Sequence, residues 1–258
     1  MNLELDNKRV LITGASKGIG AAIAKRFLDE GSVVIIVSRG SKELFDLEKE
    51  LQEKYGKTRI YAETCDCANS KSLADLRERI NKNIGGIDVL VANIGDGRSV
   101  PDILPDDEQW QKTWGNNFES TLQTTRTFLS MLQKSEGSLL FISSITGMEA
   151  FGAPTDYSTA KSAVIALAKN MSRKVASCNV RVNVVAPGNV YFKGGSWDKK
   201  IQEDKKKVDD IIKSTVPMNR FASPREIADS VVFLCSDRAS FITGATLVID
   251  GGQTVGVL

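Results

Sequence analysis

Arg9-Val10-Leu11-Ile12 followed by Thr13-Gly14-Ala15-Ser16-Lys17-Gly18-Ile19-Gly20 reads as a buried strand, a glycine turn and the start of an amphipathic helix that runs to about Glu30. Strand, turn and helix in this order make a nucleotide site. Glycines let the backbone turn tightly and approach a pyrophosphate, and the following helix N-terminus offers free amides and a positive dipole end. The spacing differs from the common dinucleotide fingerprint, because Gly14, Gly18 and Gly20 leave three residues in the first gap where that pattern leaves one. A glycine turn without a ligand is the other meaning of this stretch, and the rest of the chain decides between them.

Working outward, short β-rich runs at 33–37, 59–63, 88–92, 138–142, 181–185 and 246–249 alternate with segments of helical period. Parallel strands need such crossovers, so the expected architecture is α/β, a doubly wound parallel β-sheet with helices on both faces. No Pro/Gly/Ser-rich linker or internal repeat divides the 258 residues, which are expected to form a single domain over 1–258. Ser223-Pro224-Arg225-Glu226 supplies a cap, a proline at the first helical position and a glutamate for a capping box.

Composition excludes several function classes. The chain has 34 basic and 32 acidic residues, a net charge of +2, which gives no reason to propose nucleic acid as a partner. Its apolar runs are strand-sized and Met1-Asn2-Leu3-Glu4-Leu5-Asp6 has no basic-then-apolar signal, so neither secretion nor a membrane partner is expected and the location is expected to be cytoplasmic. Histidine is absent, which removes a Ser-His-acid hydrolase and a histidine-ligated metal. Cys65, Cys67, Cys178 and Cys235 are too few and scattered for a disulfide framework, and no metal site is expected.

Tyr157 and Lys161 stand four residues apart in Tyr157-Ser158-Thr159-Ala160-Lys161, on one face of an expected helix. A neighbouring ammonium favours the phenolate, which makes such a tyrosine a usable acid and base. With Gly14, Gly18 and Gly20, this pair resembles the short-chain dehydrogenase/reductase superfamily, of classical type. Asn93 and Gly95 follow a strand where that family has an Asn-Asn-Ala-Gly segment, Asn117 falls at its mid-helix asparagine, Ser144 lies thirteen residues before Tyr157, and Pro187-Gly188 follows the sixth strand. The resemblance spans nearly the whole chain and implies a Rossmann-type fold.

The resemblance further implies an enzyme that interconverts a carbonyl and a secondary alcohol by hydride transfer. Tyr157 would supply the proton, Ser144 would hydrogen-bond the same oxygen, Lys161 would lower the Tyr157 pKa and grip the nicotinamide ribose, and Asn117 would hold a water. The cofactor would lie on Gly14, Ser16, Lys17, Gly18, Ile19, Gly20, Ser38, Arg39, Asp66, Cys67, Asn93, Gly95, Tyr157, Lys161, Pro187, Gly188 and Val190. Asp66 would accept a hydrogen bond from the adenine amine. Where NAD-dependent relatives end the second strand in an acid, this chain has Ser38 and Arg39, and with Lys17 they imply NADP(H).

Three departures bear on detail. Ala92 and Ile94 replace two residues of the Asn-Asn-Ala-Gly segment, and Asn189-Val190-Tyr191-Phe192 lacks the threonine that often touches the nicotinamide carboxamide. Residues 189–216 are longer than in compact members. Ile201, Val208, Ile211 and Ile212 suggest one apolar stripe on a lid helix. Asp96, Arg98, Met148, Glu149, Phe151 and Trp197 are the candidate pocket residues, and their mixed character points to a small polar carbonyl or alcohol substrate such as a sugar derivative or keto acid. A 3-oxoacyl-[acyl-carrier-protein] reductase is the alternative. The positions that would hold the carrier fall at Ser135 and Cys178, neither basic, though Arg173 and Lys174 are near. A catalytically silent NADP(H)-binding regulator is a further alternative, opposed by the complete set of four catalytic residue types. Helices near 109–133 and 157–177 resemble the family's dimerising helices, so a homotetramer is expected.

Overall fold

The computed structural model describes residues 2–40, 42–100 and 102–256; the two ends of the expected 1–258 unit lie outside the described residues. Seven strands, β1 (Arg9–Thr13), β2 (Val33–Ser38), β3 (Ile60–Thr64), β4 (Val89–Ala92), β5 (Ser138–Ile142), β6 (Arg181–Pro187) and β7 (Thr246–Ile249), form one sheet in the order β3-β2-β1-β4-β5-β6-β7. Every neighbouring pair is parallel. The connections carry α1 (Gly18–Asp29), α2 (Lys42–Tyr55), α3 (Ser70–Asn83), α4 (Asp107–Trp114), α5 (Ser120–Ser135), α6 (Thr155–Val175), α7 (Ser196–Glu203), α8 (Lys205–Thr215) and α9 (Pro224–Cys235).

Strand side chains alternate between two apolar layers, as the pleat requires. Val10, Ile12, Val34, Ile36, Val89, Val91 and Leu140 pack with Ile23 and Phe27 of α1, Leu44 of α2 and Val231 of α9. Leu11, Ile35, Val37, Leu90, Leu139 and Phe141 pack with Leu73 of α3, Phe128 of α5 and Val164 of α6 on the other side. Helices therefore cover both faces, and the expected doubly wound architecture is the observed one.

Boundaries move where side chains intervene. β4 begins at Val89 rather than 88, because the Asp88 carboxylate accepts the Arg9 N–H at 2.8 Å and grips the Arg9 guanidinium at 2.9 and 2.6 Å. β6 extends to Pro187, which lies opposite Ile249, and the following Gly188 N–H donates to the Ile249 carbonyl at 2.9 Å. The expected lid helix is two helices: the chain breaks at Asp204, whose side chain caps α8 by accepting the Lys207 N–H. Ile201 of α7 still packs with Val208 and Ile212 of α8, but Ile211 lies outside that cluster. Ser223 and Glu226 form the expected capping box on α9.

α4 and α5 follow one path through a π turn at Gly115–Glu119, which inserts a residue into the helical repeat and turns Asn117 fully inward.

Candidate active site

All strands point their carboxyl ends to one edge, and the sequence-predicted residues gather there. Gly14 and Gly18 run at φ +64° and +59°, the left-handed region that glycine enters without cost. Asn93, at the end of β4, pins the turn: its Nδ2 donates to the Thr13 and Gly14 carbonyls at 3.1 and 3.0 Å, and its own N–H donates to Thr13 Oγ1 at 3.1 Å. Gly20 lies so close to the turn that a Cβ there would come within 2.5 Å of the Gly14 carbonyl. The first turn of α1 has no side-chain cap and no acidic residue, so its amides and dipole end are available to an anion. A dinucleotide pyrophosphate fits that cradle. Ser16 and Ile19 are half-buried beside it, while Lys17 is exposed.

Phe192 was not singled out by the sequence. Its ring covers Gly18, where a Cβ would strike it at 2.6 Å, and no motif carries that signal.

β2 ends without an acid. Ser38 Oγ donates to the Gly40 carbonyl at 2.7 Å, and Arg39 is exposed with Nη1 3.5 Å from Asn116 Oδ1. Beyond β3, Asp66 is exposed and accepts the Ala68 N–H at 3.1 Å, while Cys67 is buried. Cys65 and Cys67 are free thiols, and the neighbouring Cys65 together with burial pushes the Cys67 thiol up.

Tyr157 and Lys161 project from the first turns of α6 toward the ends of β4 and β5. Lys161 is 2% exposed; Nζ donates to the Ile142 carbonyl at 3.1 Å and lies 5.8 Å from the Tyr157 ring centre. The helix is set against β5 by two serines: Ser143 Oγ donates to the Lys161 carbonyl at 2.8 Å and Ser162 Oγ to the Gly147 carbonyl at 2.6 Å. Ser144 is buried beside Tyr157. Its oxygen accepts from the Thr146 N–H at 3.2 Å and the Thr146 hydroxyl at 3.0 Å, which leaves its own proton to point at the phenol.

Asn117 Oδ1 accepts the Asp96 N–H at 3.0 Å, and Nδ2 donates to the Asp96 and Thr113 carbonyls at 3.1 and 2.9 Å. That side chain is committed to backbone, so a water held by Asn117 would lie on its backbone carbonyl.

Asp156, directly before Tyr157, is fully buried. It accepts the Ser99 hydroxyl at 2.5 Å and the Tyr157 N–H at 2.8 Å, and Gln109 Nε2 joins Ser99 and Thr113 at 3.2 and 2.9 Å. Although burial opposes ionisation, these hydrogen bonds, led by Ser99, hold its carboxyl below the usual range. Its sequence signal is an acid in the first turn of a helix.

Burial shifts two titrations in opposite senses. Burial pushes the Tyr157 phenol above its ordinary value, the Ser144 hydrogen bond opposing and Asp96 adding to the rise. Burial likewise disfavours the charged form of Lys161 and brings its pKa down to about 8.

The expected pocket charges are mostly answered within the protein. Asp96 and Arg98 form a forked ion pair, with Nε 2.7 and 3.0 Å and Nη2 2.5 Å from the carboxylate oxygens. Glu149 accepts the Val255 N–H at 3.1 Å and the Gly256 N–H at 2.7 Å, so it holds the C-terminal segment rather than facing a ligand. Trp197 packs on Phe221 with ring centres 5.3 Å apart. Met148 remains exposed.

A family model described as Enoyl-(Acyl carrier protein) reductase matches residues 14–254. An uncharacterized oxidoreductase of Bacillus subtilis, YvrD, is 34% identical, with 98% of each chain covered. The chain belongs to the short-chain dehydrogenase/reductase family. This member is accordingly an oxidoreductase. Also similar are the 3-oxoacyl-[acyl-carrier-protein] reductase FabG of Thermotoga maritima, 32% identical over 98% of this chain and 100% of that one, and L-sorbose reductase of Gluconobacter frateurii. The structure of the latter, complexed with NADPH and L-sorbose, superposes with a TM-score of 0.93 at 29% identity and full coverage of both chains. No helix among the described residues is long and apolar enough to cross a membrane.

Proposed function

We propose that this oxidoreductase interconverts a carbonyl and a secondary alcohol on a small polar molecule, a sugar derivative or keto acid, with NADP(H). The observation that carries the proposal is the convergence of Ser144, Tyr157, Lys161 and Asn117 at one sheet edge. There a Cβ on Gly95 would lie 2.7 Å from Lys161 Nζ and 3.2 Å from Asn117 Oδ1, and one on Gly97 3.7 Å from Tyr157 Cζ. NADP(H) is supported by the uncapped glycine turn, by the absence of an acid at the end of β2, and by the exposed Lys17 and Arg39.

When bound, the dinucleotide supplies or accepts the hydride. Tyr157 gives the oxygen its proton in reduction and takes it in oxidation; a raised phenol pKa keeps it loaded as an acid. Ser144, aligned by Thr146, hydrogen-bonds the same oxygen. Lys161 holds positive charge beside the phenol, and Asn117 fixes the Asp96 backbone that walls the site. Gly14, Ser16, Lys17, Gly18, Ile19 and Gly20 would receive the pyrophosphate and 2′-phosphate with Ser38 and Arg39. Asp66 and Cys67 would border the adenine, and Asn93, Gly95, Pro187, Gly188 and Val190 the nicotinamide riboside.

The polar substrate is supported by the likeness to the sorbose reductase. An acyl-carrier-protein substrate has less support. Ser135 turns its hydroxyl onto the Ile87 carbonyl at 2.9 Å and Cys178 is not a basic residue, which leaves the exposed Arg173 and Lys174 as the nearby cations. A homotetramer built on α4–α5 and α6, in the cytoplasm, completes the proposal. Purified protein with NADPH and a panel of keto sugars, keto acids and 3-oxoacyl thioesters tests it. Faster turnover of the sugars or acids is expected, preference for the thioesters would favour the carrier-linked reaction, and silence throughout would leave a regulator.

A further inference from the structure

Ser144 is joined to Glu149 by one short hydrogen-bonded turn. The Gly147 N–H donates to the Ser144 carbonyl at 3.0 Å, and the Met148 and Glu149 N–H groups donate to the Ile145 carbonyl at 2.9 and 3.0 Å. Gly147 lets this turn pack on α6, because a Cβ there would lie 2.7 Å from the Lys161 carbonyl carbon. Past Glu149 that support stops. No backbone N–H of residues 150–153 donates to a backbone carbonyl among the described residues, and regular structure resumes only with α6.

The Glu149 carboxylate takes its hold on the segment after β7. Its Oε1 accepts the Val255 N–H at 3.1 Å and the Gly256 N–H at 2.7 Å, and Oε2 accepts the Val255 N–H at 3.1 Å. What it grips has a firm base. The Asp250 carboxylate accepts the Gly252 N–H at 2.9 Å and the Thr254 N–H at 2.6 Å, the Gly251 carbonyl accepts the Met218 N–H at 3.1 Å, and the Gly188 N–H donates to the Ile249 carbonyl at 2.9 Å. The segment after β7 thus ties together the residues that follow α8, the Pro187–Gly188 corner and the turn after Ser144. Met148 and Val255, on either side of the grip, are exposed.

An anchored strap and an unsupported stretch meet at one carboxylate, which makes that carboxylate the fixed point of the loop between Ser144 and Tyr157. We infer that Glu149 is a positioning residue for the carbonyl substrate: its grip on Val255 and Gly256 holds the turn after Ser144, with Met148, in the conformation that receives the substrate. Glu149 touches no reacting group and acts through backbone alone. The inference rests on the carbonyl–alcohol reading above. Charge is not what the role requires, since Oε1 by itself makes two of the three contacts. An amide oxygen at the same reach serves, and a carboxylate one methylene shorter does not.

The test pairs steady-state kinetics with amide hydrogen exchange read by mass spectrometry. KM is measured with L-sorbose, or with the fastest member of the panel above where L-sorbose is not turned over. Glu149→Ala should raise KM roughly threefold to tenfold, the worth of about one hydrogen bond, with a smaller change in kcat and little change in the Kd for NADPH. Exchange over 145–151 and 255–256 should quicken in the same variant. Glu149→Gln should stay within about twofold of wild type, and Glu149→Asp should behave like the alanine variant. Gly256→Pro removes the donor at 2.7 Å; it should raise KM alike and add less than about twofold to Glu149→Ala, because both break one contact. Unchanged KM in Glu149→Ala, an equal loss of NADPH affinity, or full additivity with Gly256→Pro would make the grip merely structural and overturn the inference. A glutamine variant as impaired as the alanine one would overturn it in favour of a charge that meets the substrate directly. If wild type turns over nothing in the panel, the carbonyl–alcohol reading fails, and exchange decides the grip by itself: unchanged exchange over 145–151 in Glu149→Ala overturns it.

Discussion

Gly95 and Lys161 are in such close approach that the missing Cβ is part of the site: placed on Gly95, it would sit 2.7 Å from Nζ. The ammonium reaches the Ile142 carbonyl only because that space is empty. Gly95→Ala should therefore fold, since φ at Gly95 is not left-handed, but displace Nζ and lower kcat/KM about tenfold or more. Steady-state kinetics beside a melting curve checks this; unchanged kinetics would mean that Nζ can move without consequence.

Tyr157→Phe removes only the transferable proton. Turnover should fall by at least ~10² while the Kd for NADPH changes little, because the ring and its packing remain. Lys161→Ala should damage both turnover and cofactor affinity. Near-normal turnover of the phenylalanine variant would require another proton donor.

The fold was legible because its signals are periodic. Strand runs, crossovers, the glycine turn and the Ser223–Glu226 box are local patterns, and each lies where its residues suggest. The gathering of Ser144, Tyr157, Lys161 and Asn117 was legible through spacing and resemblance. What the sequence could not reveal is pairing at a distance. Asp96 and Arg98 read as pocket charges until they are seen to answer each other, Glu149 until Val255 and Gly256 claim it, and Lys161 as a strong cation until its burial is known. Phe192 over Gly18 and Gln253 beside Gly188 join segments far apart in the sequence, with no pattern in either segment to announce the contact.

Lys161 also couples folding to pH. Its pKa in the folded protein, about 8, lies below its ordinary 10.5, so the folded state disfavours the charged form. The penalty is fully present below pH 8 and vanishes as pH rises through 10.5, where folded and unfolded chains are both neutral at this group. The gap corresponds to about 3 kcal/mol. Lys161→Met should therefore be more stable relative to wild type at pH 7 than at pH 10, as read by denaturant unfolding at both. A constant difference would show that the ammonium is solvated in the folded protein.

Asp156 positions the loop after β4 rather than touching reactants. Its carboxylate ties Ser99 to the first turn of α6, with Gln109 reaching in from α4. Asp156→Ala should raise KM for the carbonyl substrate several-fold and lower stability by about 1–3 kcal/mol, from the lost partner of buried donors, with a smaller change in kcat. Asp156→Asn keeps one acceptor and should recover part of the KM. A fall in kcat alone would place Asp156 in the proton chemistry instead.

Cofactor choice rests on Ser38, Arg39 and Lys17. Ser38 closes β2 with its hydroxyl on the Gly40 carbonyl, and Lys17 and Arg39 are exposed with no ion pair among the described residues, so both cations are free to meet a 2′-phosphate. A charge-assisted hydrogen bond contributes ~1.5–3 kcal/mol, and each ~1.4 kcal/mol is tenfold in affinity, so losing one contact should cost roughly tenfold to a hundredfold in NADPH binding. Ser38→Asp adds repulsion toward the 2′-phosphate and an acceptor for a free 2′-hydroxyl, and discrimination should move further than either effect alone. Wild type should prefer NADPH to NADH, Arg39→Ala should narrow that preference, and Ser38→Asp should narrow or invert it, measured as kcat/KM for both cofactors with one substrate. If wild type favours NADH, or Ser38→Asp leaves the ratio untouched, Lys17 and Arg39 are only solvated surface charges.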